Sequence, residues 1–162
     1  MTAINGLPAH VLLVHFLVVL APLTALSEIL CAVWPAARRR LVWPVLALAL
    51  VTVVLTPITT GAGEWLYDLR KQPNGLLREH AELGGWMIYF AVAMLVVAIV
   101  IALLHVLEGR SDKRRVAANV LVAVVAVVVG ISTIVTVYRI GDSGAQSVWG
   151  HEIARLTQAN GG

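Results

Sequence analysis

The sequence predicts an all-α integral membrane protein, a four-helix bundle running up-down-up-down with short loops. Three observations predict it. Hydrophobic residues make up 59% of the 162-residue chain and charged residues only 13%, where a soluble domain carries about a quarter charged residues. The apolar residues fall into four runs, each long enough to cross a hydrocarbon core of roughly 30 Å. The basic residues gather between the runs, at Arg38, Arg39 and Arg40 and at Arg110, Lys113, Arg114 and Arg115. Backbone groups in lipid must bond within their own segment, so each run is a helix. The length allows one domain. The net charge of +3 is spread at run ends, a membrane-surface pattern with no nucleic-acid footprint.

The elements follow in order. The first span covers about residues 7–34, with Pro8 suited to a first helical turn and Trp34-Pro35 ending it. No basic residue precedes it and no small residue precedes Cys31, so it is expected to stay as a helix without cleavage. Cys31 stands alone, which excludes an intrachain disulfide and a Cys-based metal motif. The second span covers about residues 41–66, with Pro44 in its first turn and Pro57 deep inside as a kink. Trp43 and Tyr89 suit interfacial belts or bundle contacts. Gln72-Pro73-Asn74-Gly75 reads as a turn. The third span covers about residues 80–107. The fourth covers about residues 116–140 and is rich in Val, which would favour strand in water but not in lipid. Residues 1–140 thus form the transmembrane domain and 141–162 a polar tail, with a short amphipathic helix over residues 146–156. Ala126-xxx-Gly130 and Gly84-Gly85 permit close helix approach.

Lys and Arg set orientation. The first and third loops hold seven, against three in the second, Arg70, Lys71 and Arg78. Both termini are therefore expected outside the cytoplasm, in a cell membrane. The starts of spans one and three and the ends of spans two and four then share the outer face. That gathers His10, His15, His80 and His151 there, with Glu64, Asp68 and Asp142.

Helical angles of about 100° per residue sort these groups. His10, Thr24 and Glu28 share a face of span one, while His15 points about 140° away. On span three, His80, Met87, Met94, Ala98 and His105 form one stripe. On span two, Thr52, Thr56, Thr60, Glu64 and Asp68 step at i,i+4 toward the outer surface. Polar faces are costly against lipid and should turn inward. Glu28 and His105, near the other face, read as a structural pair in preference to a proton-exchange site. Two or more imidazoles with Glu64 suit Zn²⁺ or Cu²⁺. Two imidazoles facing across a bundle suit the axial positions of haem b. His15 and His80 are the main expected ligands. His10 and Glu64 assist, with Asp68, Asp142 and His151 as further candidates. Glu64 is also placed to orient an imidazole N–H, and Gly84 to leave room for a planar cofactor. The plainer alternative is that these histidines meet headgroups and water, and that the threonines and methionines are packing.

The stretch Gly6-Leu7-Pro8-Ala9-His10-Val11-Leu12-Leu13-Val14-His15-Phe16 resembles the opening of the bacterial membrane family called domain of unknown function 2231, a Leu-Pro-x-His followed by Leu-Val-His-Phe. Further matches follow at Thr60-Gly61, Glu64-Trp65-Leu66, His80-Ala81 and Val137-Tyr138-Arg139, covering nearly the whole chain. The resemblance implies a likeness to small haem-binding cytochrome b bundles and a redox role outside the cytoplasm, since some relatives are fused to Rieske-type or c-type cytochrome modules. Many relatives carry a histidine just after the Tyr-Arg, where this chain reads Ile140-Gly141-Asp142-Ser143-Gly144. If that histidine is a ligand, Asp142 or His151 replaces it here.

The sequence thus supports two functions. One is a redox or electron-transfer protein holding haem b or a transition metal (Zn or Cu), with a membrane or extracytoplasmic redox partner. The other is an accessory subunit or small transporter whose polar faces serve packing or proton passage. No nucleophile has a supporting motif, so a stand-alone enzyme is not expected, and a Cys-x-x-Cys-His for c-type haem is absent.

Overall fold

The computed structural model describes residues 3–4, 7–69, 75–110 and 116–160. Four helices account for nearly all of them: α1 (Ala9–Val33), α2 (Pro35–Asp68), α3 (Gly75–Gly109) and α4 (Val116–Asn160). All four are long and apolar enough to cross a membrane. Before them, β1 (Ala3–Ile4) and β2 (Leu7–Pro8) make a minimal antiparallel pair, Ala3 opposite Pro8 and Ile4 opposite Leu7. Pro8 therefore precedes the first helix and does not open it.

Each helix contacts its neighbours in sequence, and α1 also contacts α4, so the ring closes in up-down-up-down order. Along one diagonal α1 and α3 touch as well. The core is made largely of small residues. Cys31, Ala32, Val42, Val45, Val97, Ile101, Ala102 and Ala126 cluster toward one end, and Leu17, Ala21, Ala25, Met87, Met94, Val137 and Ile140 toward the other. Small side chains let helix backbones approach, the main source of association where lipid is as apolar as the core. At Gly130 an added Cβ would lie 2.8 Å from Ile29 Cδ1 and 3.5 Å from the Ala25 carbonyl oxygen. Gly84 and Gly85 meet nothing within 4 Å, so the close approach expected of them occurs at Gly130 instead. Large apolar residues point outward all round the ring, among them Phe16, Val19, Leu121 and Tyr138. That is the inverse of a water-soluble bundle. Trp43 and Tyr89 are exposed too, as interfacial residues are.

Three boundaries differ from the sequence reading, each for a local reason. The turn between α1 and α2 is the single residue Trp34, extended at φ −123 and ψ 101, with Pro35 starting the next helix at once. A residue before proline is pushed out of the helical region, while proline itself is preformed for a first turn. Arg38, Arg39 and Arg40 thus belong to α2, and Pro44 lies inside that helix. The third helix begins at Gly75, before His80. The fourth continues past Ile140 to Asn160, 45 residues in all. Its glycines lower helix propensity by only about 1 kcal/mol each, and no proline stands in residues 116–162 to stop it. At 1.5 Å per residue it is about 68 Å long, so it overruns any bilayer. The remainder of the Gln72-Pro73-Asn74-Gly75 turn, and Lys113, Arg114 and Arg115, lie outside the described residues.

A candidate bis-imidazole site

At the end of the bundle where α1 and α3 begin, His10 and His80 meet across the diagonal. Their ring centres are 6.2 Å apart and their planes stand at 82°. Each ring is tied to the helix that follows its own. His10 Nδ1 donates to the Thr59 carbonyl oxygen on α2 at 2.9 Å. His80 Nδ1 donates to the Ile140 carbonyl oxygen on α4, also at 2.9 Å. A carbonyl only accepts, so both Nδ1 atoms carry the proton, and on a neutral ring Nε2 is left with its lone pair.

Each ring also rests on a glycine one turn beyond its carbonyl. A Cβ at Gly63 would lie 2.8 Å from His10 Cε1 and 2.9 Å from Nδ1; one at Gly144 would lie 2.9 Å from His80 Cε1 and 3.1 Å from Nδ1. Only glycine leaves room for an imidazole against the backbone there. Ser143 Oγ adds a contact 3.4 Å from His80 Nδ1 and donates to the Ile140 carbonyl oxygen at 3.1 Å. The stretch from Ile140 to Gly144 is therefore the seat of His80.

The other candidates lie elsewhere. His15 is exposed, bonds the Val11 carbonyl oxygen of its own helix, and lines a shallow apolar groove with Phe16, Val19, Leu20, Leu23, Val51 and Leu55. It does not join His10 and His80, although the sequence reading made it a main ligand; at about 140° from His10 it faces away. Glu64 and Asp68 are exposed, and Asp142, also exposed, accepts from Gln146 Nε2 at 2.9 Å. His151 lies on α4, and its side chain is outside the described part. No group of three or more His, Cys, Asp or Glu side chains able to hold a metal ion occurs among the described residues. Arg139 of the Val-Tyr-Arg stretch reaches Glu79 at 4.0 Å, on the surface.

The threonine ladder explains the absence of Glu64. A strict i,i+4 series drifts about 40° per step around a helix, so by Glu64 and Asp68 it has turned outward. The buried face of α2 runs instead through Thr52, Thr56 and Thr59 to Gly63. The His80, Met87, Met94 series steps by seven and drifts only about 20° per step, so Met87 and Met94 are buried and His80 half-buried. Sequence reasoning missed Gly63 and Gly144.

Glu28 and His105 do not form the expected pair. Glu28 is fully buried and neither of its oxygens has a hydrogen-bond partner. Among the described residues the ion pair at that end is Arg38 with Glu108, at 3.5 Å.

The sequence pattern of one protein family, described as "Predicted membrane protein (DUF2231)", covers residues 6–157. The chain belongs to that family. Its DUF2231 membership spans every helix and both halves of the histidine site. No curated protein and no solved structure matches the chain.

Proposed function

We propose that this DUF2231 protein binds one haem b between His10 and His80 and serves electron transfer at the extracytoplasmic face of the cell membrane. One observation carries the reading: two imidazoles on facing helices, each fixed by its Nδ1–H so that Nε2 is the free donor. The donor set fits haem better than a bare ion. Zn²⁺ in a structural site asks for four protein ligands and in a catalytic site for three, and the described residues gather no such group. Haem asks for two axial donors or one. His10 and His80, whose ring centres are 6.2 Å apart, would be the residues that hold it. Bound haem would supply the one-electron chemistry; the chain's part is to hold both imidazoles in one tautomer. His15, the ligand expected from sequence, is reassigned to the apolar groove surface.

The test is direct. Protein expressed with ample haem and purified in detergent is expected to show a Soret band, lost in His10→Ala and in His80→Ala and kept in His15→Ala. A colourless wild type free of Zn and Cu by elemental analysis refutes the proposal.

A second reading rests on the same bonds. His10 ties α1 to α2 and His80 ties α3 to α4, so the pair also serves as a clasp in an accessory subunit or small transporter. That reading expects both His→Ala variants to lower stability in protein that never held haem.

A further inference from the structure

We propose that Glu28 is a proton-binding site inside the bundle, exchanging with the arginine-bearing end, and that Arg38 is its reserve counter-ion. The inference does not depend on the haem reading.

Glu28 lies on the same face of α1 as His10, five turns further on, and has 0% exposure. Neither oxygen receives a hydrogen bond, and no cation lies within ion-pair distance among the described residues. Its own helix offers Thr24, whose hydroxyl is spent on the Leu20 carbonyl oxygen at 2.8 Å and touches Thr52 Oγ1 at 3.3 Å. It also offers Cys31, within electrostatic reach of both Glu28 and Arg38. From α2 comes Arg38, 2% exposed, whose Nη1 has no hydrogen-bond partner although it stands 3.5 Å from Glu108 Oε2. From α3 come His105, half-buried, and Glu108, whose other oxygen accepts from Asn119 Nδ2 at 2.6 Å. The part of α4 that crosses the bundle, from Val116 to Val137, contains no titratable side chain.

A carboxylate with no donor or cation beside it and no exposed surface is too costly to keep in such a place. Two remedies exist, a proton or a guanidinium. Arg38 is turned toward Glu108, so in this arrangement Glu28 holds a proton. When the carboxyl O–H breaks, the proton leaves to water at the mouth, where Glu108 is 30% exposed. Arg38 then turns from Glu108 toward the new carboxylate and leaves Glu108 to solvent. A metal cation does not suit the site. Hard cations need several oxygen ligands, and here the hydroxyl one turn away on the same helix is already spent on a carbonyl.

Infrared spectroscopy of the full chain in lipid nanodiscs tests this. Wild type at neutral pH is expected to show a protonated-carboxyl C=O band that shifts with ¹³C-labelled glutamate and on transfer to D2O, and that Glu28→Gln removes. Raising the pH should remove the band in wild type, and Arg38→Met should move that loss to higher pH. If Glu28→Gln fails to assemble, the isotope-labelled wild type still decides. Absence of the band at neutral pH overturns the proposal. So does a band indifferent to D2O, one that added sodium removes at fixed pH, or one whose titration Arg38→Met leaves unchanged.

Discussion

Gly63→Ala separates the seat of His10 from every assumption about cofactor. The new methyl would stand 2.8 Å from His10 Cε1 and 2.9 Å from Nδ1. Carbon atoms rest comfortably at about 3.5–4.0 Å, so the ring must withdraw by roughly 1 Å. It swings on a flexible side chain, and the movement itself is cheap. The withdrawal breaks the 2.9 Å bond to the Thr59 carbonyl oxygen, a loss of about 0.5–1.5 kcal/mol. Replacing glycine by alanine inside a helix returns about 0.5–1 kcal/mol. In the wild-type background the two nearly cancel. In a His10→Ala background the ring is gone and only the gain remains, so the same substitution should stabilise. The double-mutant cycle therefore reads a coupling of about 1 kcal/mol between residues 10 and 63. Thermal unfolding in detergent, followed by circular dichroism, measures the four variants. Equal effects of Gly63→Ala in both backgrounds would refute the seating of His10 on Gly63. Gly144 with His80 should repeat the result.

Further outcomes follow from other contacts. Gly130→Leu should push α1 from α4 and cost about 1–3 kcal/mol; Gly130→Ala meets mainly Ile29 Cδ1, so Ile29→Val should relieve it, as read by detergent unfolding. Glu108→Ala strands buried Arg38 and the Asn119 amide and should cost about 1–3 kcal/mol, with Glu108→Gln milder because it keeps an acceptor for Asn119. Reporter fusions at Arg39 and Arg114 should read as cytoplasmic and one at Asn74 as exterior; a cytoplasmic Asn74 reverses the proposed orientation.

The four spans were legible because length and apolarity alone define them, and no tertiary contact can override the need to satisfy backbone in lipid. His10 and Glu28 were legible as one inward face because eighteen residues make five whole turns at about 3.6 residues per turn. The end of α4 was not, because polarity was read as a helix stop where only composition changed. Trp34 as a one-residue turn was signalled by Pro35, yet the basic residues after it looked like loop. The choice of His15 over His10 came from depth: the deeper imidazole looked costlier to leave unpartnered. A bond to its own backbone at Val11 meets that need on the outer surface of the bundle. The glycine seats stayed hidden because a missing side chain gives no periodic signal.

The histidine-on-glycine device occurs twice, once in each helical hairpin. Neither hairpin holds a complete site: α1 with α2 presents one imidazole, α3 with α4 the other. The pair comes into being only when the two hairpins dock, so its formation reports assembly of the whole bundle. A chain translated hairpin by hairpin would keep its free ring nitrogens apart until the last helices arrive, and a ligand that bridges them would lock the quaternary-like contact between two halves of one polypeptide.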